Sequence, residues 1–88
     1  MKTISILGST GSVGCATVDL IKEMPDEYVV ESLTAHQNWQ LLAQQAKILK
    51  PRYVAVSKDK YYQPLKSALA GQNIQVASGE KAIIEAGA

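Results

Sequence analysis

Short apolar runs and segments of helical period alternate four times along this chain, and that alternation restricts the fold more than any other feature. The runs Thr3–Leu7, Tyr28–Ala35, Tyr53–Val56 and Ile74–Ala77 are short and largely apolar, the second β-branched at its start, which predicts strands. From Ser12 onward Val13, Ala16, Thr17, Leu20, Ile21 and Met24 recur at helical spacing, with Asp19, Lys22 and Glu23 opposite and Pro25 as the stop. Asn38 is placed to cap a second helix whose apolar stripe is Trp39, Leu42, Ala43, Ala46 and Leu49. Gln40, Gln44, Gln45 and Lys47 fall on its polar side, and Lys50-Pro51 ends it. Pro64 confines the start of a third helix to near Tyr61, and Gly71 closes it after Ala70. Ser78 is the expected cap of a last helix through Ile83, Ile84 and Ala86. Strict β-α alternation predicts parallel strands joined by right-handed crossovers, hence an α/β doubly wound sheet. The chain stops at Gly87-Ala88 straight after a helix, as the N-terminal portion of a larger domain would.

Composition narrows the functional classes. Nine Lys plus Arg against eight Asp plus Glu give a net charge of +1 without a basic block, so the electrostatic footprint of a nucleic-acid binder is missing. The apolar start is too short for a signal peptide, and no run has the length of a membrane span. The single cysteine, Cys15, suits a reducing compartment and reads as a small buried side chain. A cytoplasmic protein is expected.

The stretch "ILGSTGSVGCATVDL" sets Gly8, Gly11 and Gly14 between the first strand and the first helix. In that context the glycines have separate roles. Gly8 turns the chain off the strand, Gly11 admits a pyrophosphate to the backbone, and Gly14 lets the helix pack closely. The free N–H groups of the first helical turn face the same place, and Thr10 and Ser12 add hydroxyls. No Lys-Ser or Lys-Thr pair follows the last glycine, so this is not the loop of a nucleoside triphosphatase.

The tip of the second strand bears on which dinucleotide binds. An NAD site usually places an Asp or Glu there for the ribose 2′-hydroxyl. Here Thr34 to Asn38 reads "TAHQN", without a carboxylate, and Glu31 lies inside the strand. The missing acid favours NADP, although His36 and Gln37 stand where a fixed cation would be most useful. Trp39 reads as packing, and Tyr61 and Tyr62, near Lys58 and Lys60, as a solvated helix start. No acids are spaced to bind a metal, and no catalytic residue is assigned.

With those residues in view the chain resembles the N-terminal part of the 1-deoxy-D-xylulose 5-phosphate reductoisomerase family. The resemblance is carried by "ILGSTGSVGCATVDLI", "LTAHQN", "PRYVAV" and "GEKAIIEAGA", which together span the chain. It implies a Rossmann-like, NADPH-binding segment over residues 1–88, with Thr10, Gly11, Ser12 and Val13 at the phosphates and His36, Gln37 and Asn38 at the adenosine 2′-phosphate. Family members commonly carry Lys or Arg at the position of Gln37, so a milder NADPH preference is implied here. The resemblance further implies Mg²⁺ or Mn²⁺ held by residues outside this chain, a phosphosugar substrate, and a homodimer. From the residues alone two rivals stay open: an extended short-chain dehydrogenase, which would add Tyr-x-x-x-Lys, and a non-catalytic dinucleotide sensor.

Overall fold

The computed structural model describes residues 2–24 and 26–86. Four strands, β1 (Lys2–Ile6), β2 (Tyr28–Ala35), β3 (Tyr53–Val56) and β4 (Gln75–Ser78), form one parallel sheet in the order β1-β2-β3-β4. The crossovers carry α1 (Ser12–Lys22), α2 (Trp39–Leu49) and α3 (Tyr62–Ala68), the last preceded by a 3₁₀ turn at Asp59–Tyr61. A fourth helix, α4 (Glu80–Ala86), follows β4.

A sheet that adds each new strand on the same side, through right-handed crossovers, must keep its connecting helices on one face. Packing agrees: α1 meets α2, α2 meets α3, and Leu33, Leu42, Val54, Val56 and Leu65 are fully buried between these helices and the sheet. A bulge sharpens this face. Ile4 pairs with Val30 but Ser5 pairs with Ser32, so Glu31 is the extra residue in β2. The shift returns Leu33 and Ala35 to the core beside Val30, and it turns Ser32 away. On the other face α4 runs back across β3 and β2, where the Ser32 hydroxyl donates to the Ala86 carbonyl at 2.8 Å and the Tyr53 hydroxyl to that of Ala82 at 3.4 Å. Burial and the nearby Glu85 carboxylate raise the Tyr53 phenol above its ordinary pKa. Helices on both faces of a parallel sheet make the doubly wound arrangement, and β1 is left on an edge.

Several local expectations need correction. Ser78 ends β4 instead of capping α4; its hydroxyl donates to Asp59 Oδ1 at 2.8 Å. The carbonyl of Gly79, at φ +97°, accepts from the Ile83 N–H at the helix start. A 3₁₀ turn supplies the first part of the expected third helix, since Pro64 cannot donate and the chain tightens before it. The buried line of α1 is Gly14, Val18 and Ile21, while Val13 and Leu20 are 82% and 56% exposed. Pro25 and Gly87-Ala88 lie outside the described residues; α1 ends before that proline, with the N–H groups of Glu23 and Met24 on the carbonyls of Leu20 and Ile21. Lys60 and Lys66 lie over the rings of Tyr61 and Tyr62 at 5.1 and 5.5 Å, as befits surface residues at a helix start.

Candidate functional site

Ligands of open α/β sheets sit beyond the carboxyl ends of the strands. In this chain that rim consists of the glycine loop after β1, His36 after β2, Ser57 after β3 and Gly79 after β4. The loop is held by a set of short hydrogen bonds. Gly8, at φ +69°, turns the chain off β1 and donates its N–H to Thr34 Oγ1 at 2.9 Å. The N–H and hydroxyl of Ser9 both reach the Thr34 carbonyl, at 2.8 and 3.3 Å. The Gly11 N–H then closes on the Gly8 carbonyl at 3.0 Å, and the Cys15 N–H on the Gly11 carbonyl at 2.8 Å begins the helical ladder.

This geometry gives Gly8 its turn and Gly14 its close contact, as their spacing foretold. A Cβ on Gly14 would fall on the Gly8 carbonyl oxygen and 2.6 Å from Ser9 Cα, so only glycine lets α1 pack against its own loop. That contact also sets the rotation of the helix, which is why Val18 and Ile21 face inward and Val13 does not. Gly11 is different. Its φ of −75° suits any residue, and an added Cβ would meet only the Gly8 oxygen at 3.4 Å. What it provides is an N-terminus with no side chain on it: Gly11 is the N-cap of α1 and no side-chain acceptor closes that end. The first-turn N–H groups, at Ser12, Val13 and Gly14, have no intrahelical partner by the geometry of a helix and are open to an anion. They border a groove of ≈ 590 Å³ along the free edge of β1, lined by Ser5, Leu7, Gly8, Gly11, Ser12 and Val13 among others.

A smaller depression of ≈ 210 Å³ joins this loop to the tip of β2, with Gly8, Thr34, His36 and Ser57 in its wall. Exposed His36 is oriented there by its Nδ1, 3.0 Å from the Ser57 hydroxyl. Gln37 is exposed too, but it does not line that depression. Asn38 has a definite structural role, since its Oδ1 accepts from the Leu41 N–H at 3.2 Å and caps α2. Glu31 lies 3.7 Å from Arg52 Nε, well before the strand tip, so β2 ends without a carboxylate. Cys15 is half-buried, its thiol donating to the Thr10 carbonyl at 3.5 Å. Among the described residues no group of three or more His, Cys, Asp or Glu could hold a metal ion.

Three residues of the site are not evident from the sequence. Thr34 and Ser57 are ordinary strand-end residues until the parallel register sets them beside Gly8 and His36. Helical spacing puts Gln45 on the polar side of α2, yet it is buried and its Nε2 donates to the Ser9 carbonyl at 2.8 Å. A signal exists: Gln45 stands three residues after Leu42 and four before Leu49, which brings it to the margin of the apolar stripe.

The model of the 1-deoxy-D-xylulose 5-phosphate reductoisomerase family matches residues 4–88. The chain belongs to that family. A reductoisomerase from a Wolbachia of Drosophila simulans is 52% identical over 79 residues, which cover 90% of this chain and 20% of the relative. That of Bradyrhizobium diazoefficiens is 43% identical over 88 residues, 100% of this chain and 22% of the relative. Among solved structures, a Zymomonas mobilis reductoisomerase in complex with NADPH superposes with a TM-score of 0.94 at 40% identity, over 97% of this chain and 22% of that one. A reductoisomerase complex with NADPH, fosmidomycin and magnesium gives 0.89 at 29% identity, over 97% of this chain and 21% of that one. The chain therefore spans about a fifth of the length of the reductoisomerases it matches.

Proposed function

We propose that this chain is the NADPH-binding segment of a reductoisomerase that converts 1-deoxy-D-xylulose 5-phosphate to 2-C-methyl-D-erythritol 4-phosphate in non-mevalonate isoprenoid biosynthesis. The observation that carries the reading is the start of α1: an N-cap glycine without a side-chain cap, at the carboxyl rim of a parallel sheet that superposes on an NADPH complex. The residues fit the cofactor. The backbone at Gly11 is bare, the first-turn N–H groups are unclaimed by any cap, and the hydroxyl of Ser12 stands beside them.

In this reading Thr10, Gly11, Ser12 and Val13 hold the pyrophosphate, while His36, Gln37 and Asn38 receive the adenosine 2′-phosphate. NADPH supplies the hydride of the reduction. The chain's own work is to bind and orient it. Ser57 sets the imidazole of His36, and the absence of an acid at the tip of β2 spares a 2′-phosphate from repulsion. The divalent cation, Mg²⁺ or Mn²⁺, and the phosphosugar are assigned to residues outside this chain, as membership of the family implies. Homodimerisation and a cytoplasmic location belong to the same proposal. No helix among the described residues is long and apolar enough to cross a membrane.

The test is calorimetry with NADPH on the polypeptide that carries these 88 residues, followed by nicotinamide absorbance with 1-deoxy-D-xylulose 5-phosphate and Mg²⁺ or Mn²⁺. Binding together with substrate-dependent oxidation is expected. Residues 1–88 alone are expected to give no turnover, since the metal and substrate sites are assigned outside them; oxidation by that piece would overturn this division of labour.

A further inference from the structure

We infer that Gln45 is a positioning residue for the phosphate loop, holding Ser9 from α2 so that the donors following Gly11 stay aimed at the pyrophosphate. The inference rests on the dinucleotide reading above. Gln45 is only 5% exposed, in the middle of a helix whose neighbours Leu42, Ala43 and Ala46 form the core. Its Nε2 donates to the Ser9 carbonyl at 2.8 Å and lies 3.8 Å from Cys15 Sγ, one residue past Gly14. A single amide thus touches the loop on both sides of the turn that presents the donors.

The other half of that amide has no comparable contact. Gln45 Oε1 is buried with no hydrogen-bond partner among the described residues. Flipping the amide would gain nothing, because it would set two carbonyl oxygens against each other at Ser9. A buried acceptor without a partner is destabilising, yet an apolar residue of similar shape would trade that penalty for an unpartnered carbonyl at Ser9. The one strong bond of the side chain goes to the loop, where it satisfies that buried carbonyl. Ser9 is fully buried and is also held from the opposite side by the Thr34 carbonyl, so β2 and α2 grip the same residue. Between Ser9 and the N-cap Gly11 stands only Thr10.

The experiment substitutes Gln45→Leu in the polypeptide that carries this chain and compares NADPH, NADH and adenosine 2′-phosphate by calorimetry. The variant removes the orphaned Oε1 but leaves the buried Ser9 carbonyl without its donor, so the thermal midpoint should fall modestly while the protein stays folded. Affinity for NADPH and NADH should fall by the same factor, about five- to tenfold for one hydrogen bond. Adenosine 2′-phosphate, which has no pyrophosphate, should bind as before. If the leucine variant does not fold, Gln45→Met, which fills the same space and lacks the donor, carries the same test. Unchanged affinity for both dinucleotides in a folded variant would overturn the inference, as would an equal loss for all three ligands. A wild-type protein that binds neither dinucleotide overturns the dinucleotide reading as well, so the two failures are told apart.

Discussion

Two helices open at the same rim of the sheet, and their first turns are finished in opposite ways. α2 is capped by its own sequence: Asn38 accepts from the Leu41 N–H, and the Trp39 N–H turns back to the Gln37 carbonyl. α1 has Gly11 at the same position and no side-chain acceptor. Both follow a parallel strand and both point their positive ends toward the rim, so topology does not account for the difference. One residue does. A capped helix end takes a donor back into the chain, whereas an uncapped one with bare backbone in front of it leaves its donors open to water or an anion. The comparison also recasts Asn38, whose amide oxygen is committed to α2, leaving its nitrogen as the group we assign to a 2′-phosphate.

The largest effect should come from Gly14. Ala at that position forces Cβ onto the Gly8 carbonyl, backbone against backbone, and should cost about 3 kcal/mol or more of stability. Denaturant unfolding measures it, and a stability within 1 kcal/mol of wild type would show that α1 can lift off its loop (~1 kcal/mol being within ordinary surface and cap effects). Gly11→Val should instead spare the fold, since its φ is ordinary and its nearest neighbour is 3.4 Å away. It should still weaken NADPH at least tenfold, about 1.4 kcal/mol, by crowding the pyrophosphate. Equal affinity in the folded valine variant would reduce the open end of α1 to a plain turn.

Asn38 separates capping from recognition. Asn38→Ala should lower stability by about 1 kcal/mol. Asn38→Asp keeps an accepting oxygen and should hold the thermal midpoint, while its charge lowers the NADPH-to-NADH ratio of kcat/KM. If aspartate changes neither quantity, Asn38 is a cap and nothing more. Smallest is the gain from Gln37→Arg, which should raise the same ratio several-fold, roughly what an exposed charge beside a phosphate contributes. An unmoved ratio would mean that residue 37 does not face the 2′-phosphate.

Much of this was legible in the residues because local physics and tertiary structure agree there. Period and punctuation placed β2, β3 and α2 at their observed bounds, with Asn38 as cap. Gly8 and Gly14 announced a turn and a close contact, the first through its positive φ and the second because a Cβ there would strike the loop. Where the reading failed, a long-range contact had overruled a local preference. Ser78 is a good cap by type, yet its hydroxyl is taken by Asp59, 19 residues away. Val13 and Leu20 fit an amphipathic stripe, but Gly14 is held against the loop, the buried line runs through Val18 and Ile21, and both stay exposed.

The sequence by itself determined the alternation of elements, the parallel sense of the strands and the position of the glycine turn. Those follow from spacing and backbone freedom, which act over a few residues. Only the tertiary structure decided the strand order, the bulge at Glu31, and the burial of Gln45 against Ser9. A strand's neighbour and a polar side chain's partner are chosen among groups distant in sequence. No local period distinguishes a glutamine that faces water from one that holds a loop 36 residues away.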